Sequence, residues 1–100
     1  MQKVKITVLK REIYKDLVEE YAADKSMPVC DKFQDGQEFI VEGLDQPQGF
    51  CSWAFADIQR DVLAIKLGAQ YPWIKEPSTI ISCCTDGIRP VIFKIELVDV

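Results

Sequence analysis

Ser52-Trp53-Ala54-Phe55-Ala56-Asp57-Ile58-Gln59-Arg60-Asp61-Val62-Leu63-Ala64-Ile65-Lys66-Leu67 is the stretch on which the architecture turns. Phe55, Ile58, Val62 and Ile65 recur at three- and four-residue spacing, the period of one helix face. Ala54, Leu63 and Leu67 widen that stripe. Ser52 reads as the N-cap, and Gly68 as the stop. A helix apolar over so much of its circumference is expected to be covered on more than one side. It should therefore lie centrally in the domain or at a subunit interface.

On either side the period changes from helical to alternating. Lys3-Val4-Lys5-Ile6-Thr7-Val8 reads as a half-buried strand with Val4, Ile6 and Val8 inward. Ile13, Tyr14, Leu17, Val18 and Tyr21 then suggest a short amphipathic helix of about two and a half turns, broken between Asp24 and Pro28. Asp35-Gly36 marks a turn into a strand from Gln37 to Glu42, with Phe39 and Val41 on one face. After the long helix, Thr79 to Cys84 and Val91 to Val98 are β-prone, and Val91, Phe93, Ile95 and Leu97 share a face. Asp86-Gly87 between them signals a hairpin. The order β-α-β-α-β-β predicts an α+β fold, with a small, mostly antiparallel sheet packed on one long central helix.

One hundred residues suit one domain spanning 1–100, with a core that needs no staples. The 48% hydrophobic and 28% charged content is that of a globular chain. No run approaches the ~20 apolar residues of a membrane span, and the charged N-terminus lacks a signal peptide's apolar stretch. A cytoplasmic location with reduced thiols is expected. The net charge of −4 is uneven: residues 1–15 set Lys3, Lys5, Lys10, Arg11 and Lys15 against Glu12 alone, so the other 85 residues sum to −8. An acidic body argues against nucleic acid as a partner. The basic N-terminal stretch reads as the solvent face of a strand.

Chemistry is constrained most by what the chain lacks. With no histidine there is no Ser-His, Cys-His or Glu-x-x-His arrangement, and the glycines form no phosphate or dinucleotide loop. Asp57 and Asp61, one helical turn apart, read as a solvated face. The four cysteines, Cys30, Cys51, Cys83 and Cys84, contain no Cys-x-x-Cys. Cys83 and Cys84 adjoin on a strand and must point to opposite faces. Cys30, Cys51 and Cys84 each stand at a junction between elements, and junctions gather where sites are built. Cys51, at a helix start, sits at the positive end of its dipole. Convergence of Cys30, Cys51 and Cys84 would make them candidates for a metal or a redox site. Cys84-Thr85-Asp86-Gly87-Ile88-Arg89-Pro90 is the densest local pattern, combining a thiol, an acid and a base. Trp53 and Trp73 flank the long helix and could wall a pocket with flat apolar surface and indole donors. Cys84, Asp86, Arg89, Trp53 and Trp73 are accordingly the candidate ligand-binding residues.

Cys30 with Phe33 and Asp35-Gly36-Gln37-Glu38-Phe39 forms one block of a longer pattern. Pro47-Gln48-Gly49-Phe50-Cys51-Ser52-Trp53-Ala54 and Cys84-Thr85-Asp86-Gly87-Ile88-Arg89-Pro90-Val91 form two more. Together the three blocks resemble an uncharacterised family of small prokaryotic proteins of about 100 residues. The resemblance assigns no activity. It implies that Cys30, Cys51 and Cys84 occupy the family's recurrent thiol positions and that Cys83 is additional. Relatives often carry proline after the first two of these cysteines, where this chain has Asp31 and Ser52. The expectation is a non-enzymatic binding or assembly module that forms a homo-oligomer and needs no cofactor. Its alternative is a thiol-dependent protein holding zinc or an iron–sulfur cluster, or working as a redox thiol, through Cys30, Cys51 and Cys84.

Overall fold

A computed structural model describes residues 1–100. Along the chain the elements are β1 (Gln2–Arg11), α1 (Lys15–Tyr21), β2 (Glu38–Val41), α2 (Ser52–Lys66), β3 (Thr79–Cys83) and β4 (Val91–Asp99). The fold is α+β. Its four strands form one antiparallel sheet in the spatial order β2-β1-β4-β3, so the first and last strands lie side by side at the centre.

Alternation places Val4, Ile6 and Val8 of β1, Val41 of β2, Ile80 of β3, and Val91, Phe93 and Ile95 of β4 on one buried face. Against them α2 lays Ala54, Phe55, Ile58, Val62 and Ile65, all buried. Phe39 is only partly buried because β2 is an edge strand, yet it packs on the same core. The opposite face of the sheet has no helix over it. There Lys3 pairs with Glu42 at 2.7 Å, while Lys5 reaches Glu38 at 3.5 Å and Glu96 at 3.9 Å. Lys3 and Lys5 of the basic N-terminal stretch are thus paired across strands, an arrangement that stabilises the sheet modestly.

Several details depart from the sequence reading. The long helix is a 15-residue layer on one side of the sheet, not a centre. Leu63 and Leu67, which widened its apolar stripe, are 41% and 78% exposed, because nothing packs beyond the face toward the sheet. Its N-cap is Cys51, without a side-chain capping bond, and Ser52 is the first helical residue. The Ser52 hydroxyl is engaged instead by Gln46 Nε2 at 3.1 Å.

The end at Gly68 is as expected. Its φ of 94° allows the Gly68 amide to donate to the Ile65 carbonyl and that of Ala69 to the Ala64 carbonyl, a Schellman closure. The first helix is shorter than its periodicity implied, at 7 residues, and buries only Val18, outside the main core. The chain before it stays extended because the amides of Glu12 and Tyr14 donate to the carbonyls of Pro90 and Ile88. Tertiary pairing there overrides a helical pattern. That same pairing carries β1 past Val8 to Arg11, with a register shift between Val8 and Lys10.

Candidate functional site

Three loops meet beside the N-terminal end of α2 and enclose a cleft of about 220 Å³. Cys30, Lys32 and Phe33 line it from the segment before β2. Cys51, Trp53 and Ala54 come from the start of α2, and Cys84, Asp86, Arg89 and Val91 from the β3–β4 connection. The cysteines 30, 51 and 84 therefore share one cavity although 54 positions separate the first from the last.

The floor beneath the loops is aromatic. Phe33 and Phe50 stand edge to face at 4.9 Å, Phe39 and Phe50 at 4.8 Å, and Phe33 and Phe93 at 5.3 Å. Each such pair adds about 0.5–1.5 kcal/mol beyond the area it buries. The cluster thus anchors the residues next to Cys30 and Cys51 to the sheet.

Each loop also has a polar tether. Arg11 ends β1 and donates through Nε to Asp35 Oδ1 at 2.9 Å. A terminal nitrogen of the same guanidinium donates to the carbonyls of Cys30 at 3.1 Å and Phe33 at 3.0 Å. One rigid planar group thereby fixes the loop bearing Cys30 and Lys32. The β3–β4 connection is tied to α2 by Thr85. Its amide donates to Asp57 Oδ2 at 2.8 Å, and its hydroxyl accepts from Trp53 Nε1 at 2.9 Å and contacts the same carboxylate at 3.0 Å. One turn on, Ser82 Oγ donates to Asp61 Oδ2 at 2.7 Å. Asp57 and Asp61 are therefore not a solvated face. With Trp53 they form an i, i+4, i+8 stripe turned toward β3.

Within the connection, Asp86 Oδ1 accepts from the amides of Ile88 at 3.0 Å and Arg89 at 3.1 Å, and its Oδ2 lies 3.4 Å from Arg89 Nε. Partial burial acts to raise the Asp86 pKa. The two amides and the guanidinium outweigh it, and the carboxyl is held below its ordinary value. Cys84 is buried, and its sulfur accepts the Val91 amide at 3.3 Å. Cys83 points the other way and is exposed, as neighbours on a strand must. All four cysteines are free thiols.

Of the residues singled out in the sequence, Trp53, Cys84, Asp86, Arg89, Cys30 and Cys51 come together, and Trp73 does not. Trp73 is 70% exposed, and its ring lies tilted against Tyr71 at 5.2 Å, in the segment that follows α2. A 15-residue helix is about 22 Å long, so residues flanking its two ends cannot wall one small pocket. The thiols share a cleft without forming a ligand set: no three His, Cys, Asp or Glu side chains are grouped so as to hold a metal ion.

Lys32 is absent from the sequence analysis, while Phe33 and Thr85 stand there only inside longer blocks and Arg11 only in the basic stretch, none with a role at the site. Arg11 looked like one more cation on a basic strand, and only its distance in space from Cys30 reveals its task. The Trp53–Asp57–Asp61 spacing was a readable signal, since a carboxylate stripe adjoining an indole donor invites a hydrogen-bonding neighbour.

Fold and site together define a small α+β protein with a thiol-lined cleft at one end of a half-covered sheet. Comparison with protein-family models, with curated proteins and with solved structures found no match. No helix is long and apolar enough to cross a membrane.

Proposed function

We propose that the protein is a non-enzymatic binding module whose ligand is a small molecule held in the cleft. The observation that carries this reading is the convergence of three separate segments, 30–33, 51–54 and 84–91, on one cavity of about 220 Å³. Its walls are largely apolar, from Phe33, Trp53, Ala54 and Val91, with Lys32, Asp86 and Arg89 as its charged groups, a mixture that small-ligand sites favour. The tethers from Arg11 and Asp57 hold those segments before any ligand arrives, which lowers the ordering cost of binding.

The test uses a Trp73→Phe protein, so that Trp53 is the sole indole. Benzoate and benzamide are titrated while Trp53 fluorescence and backbone NMR shifts are followed. Shifts confined to residues 30–33, 51–54 and 84–91 are the expected result, and scattered or absent shifts would overturn the reading. Exposure of Leu63 on α2 and of Leu67 at its C-cap keeps self-association within the same proposal. Sedimentation across a concentration series measures it.

A second reading, a protein that works through its thiols in the cytoplasm, is favoured by one observation: Cys30, Cys51 and Cys84 line the cleft together, whereas Cys83 does not. Thiol titration before and after peroxide treatment tests its redox form.

A further inference from the structure

We infer that the ligand class of the cleft is an acidic low-molecular-weight disulfide, held by its carboxylates and captured as a mixed disulfide. This rests on the cleft being the ligand site. Two features of the cavity point the same way and come from different residues.

The first is sulfur. Cys30 and Cys51 are half-buried in the wall, so their thiols can meet a small molecule that enters. Cys51 caps α2 without spending its side chain on a capping bond. Cys84 is buried, and its sulfur is engaged by the Val91 amide, so it backs the cleft without leading the attack.

The second feature is charge. Lys32 enters no ion pair, and Arg89 meets Asp86 only through Nε, leaving both terminal nitrogens for another acceptor. A guanidinium with two unused nitrogens presents a fork that suits a carboxylate. Asp86 is committed to the Ile88 and Arg89 amides and to Arg89 Nε, so the cleft keeps a positive excess on a chain of net charge −4. A neutral or cationic ligand would leave both cations unused.

The step balances without any other reagent. An ionised cleft thiol attacks one sulfur of the disulfide RSSR, a protein–S–SR bond forms as the S–S bond breaks, and RS⁻ leaves and takes up the proton the thiol gave up. Protein-SH and RSSR become protein-S-SR and RSH.

Cys83, exposed and outside this cleft, is an internal reference within the same chain. The experiment incubates the intact protein with oxidised glutathione, bis(2-hydroxyethyl) disulfide or cystamine, which are acidic, neutral and cationic. Peptide mass mapping then gives the modification rate at each cysteine. Relative to Cys83, Cys30 or Cys51 should react with the acidic disulfide about threefold to tenfold faster than with the cationic one, as one or two screened charge contacts allow. Lys32→Gln removes an exposed cation with no internal partner, so the fold is untouched, and it should reduce that preference. Arg89→Gln in the Lys32→Gln background should abolish it. Fast reaction at Cys30 or Cys51 with no order among the three reagents overturns the ligand class and leaves the binding cleft standing. Cleft thiols slower than Cys83 toward all three with no order among the reagents, and indole fluorescence of the Trp73→Phe protein unchanged by any of them, overturn both.

Discussion

Asp86 holds the rim of the cleft with a single side chain, because its carboxylate gathers two amides and a guanidinium that the turn would otherwise leave unpaired. Since its folded pKa lies below the unfolded one, its charge stabilises the protein fully above about pH 4 and less as pH falls through the depressed value. An Asp86→Asn protein should therefore melt below the parent at neutral pH, and the gap should narrow in acid. A gap that is constant from pH 7 to pH 3 would mean that the charge is not what matters. Thr85 makes a comparable claim. Its hydroxyl joins the Trp53 indole to the Asp57 carboxylate, so Thr85→Val should cost about 1 kcal/mol in urea denaturation and shift Trp53 emission to the red. At this level the sequence was partly legible. Asp86-Gly87 announced its turn, because an aspartate that bonds amides two and three residues ahead is a local device. Arg11 did not, since its acceptors lie 19 and 22 positions away and no local pattern encodes them.

The elements were legible where one period ran without a competitor. Ile58 shows why: its place in the i, i+3, i+4 stripe puts it at 0% exposure between α2 and the sheet. Ile58→Ala should destabilise the protein by about 2–5 kcal/mol in chemical denaturation, the cost of a buried cavity. The closing turn of α2 is likewise local. Gly68 at φ 94° is in the left-handed region, where a side chain costs about 1–2 kcal/mol, so Gly68→Ala should lower the melting temperature although open space surrounds the added carbon. The first helix is present but starts later than its periodicity implied, for an instructive reason. Its apolar spacing from Ile13 onward is real, but Glu12 and Tyr14 find carbonyls on the β3–β4 connection, and a strand-like pairing claims those residues first. Short helices are weakly favoured on their own, so a tertiary hydrogen bond easily moves their start.

For the molecule as a whole, the most direct test is the order in which its thiols react. In native protein Cys83 should label fastest with a bulky maleimide and Cys84 slowest, with Cys30 and Cys51 between them, while denaturant should bring all four to one rate. Equal native rates would contradict the burial of Cys84 and the exposure of Cys83. The strand and helix periods, the turn at Asp86-Gly87, the helix stop at Gly68 and the opposed directions of Cys83 and Cys84 all follow from the sequence, because each depends on residues within a few positions of one another. Which cysteines share a cavity depends on something else. The sheet order β2-β1-β4-β3, with β1 beside β4, sets the β3–β4 connection next to the start of α2 and the loop before β2. Long-range strand pairing decides that order, and Trp73 is left outside the cleft that Trp53 lines. The chain alone named the sulfurs; only the folded sheet could bring Cys30, Cys51 and Cys84 to one cleft, since proximity across 54 positions is a property of the packing and of no local stretch.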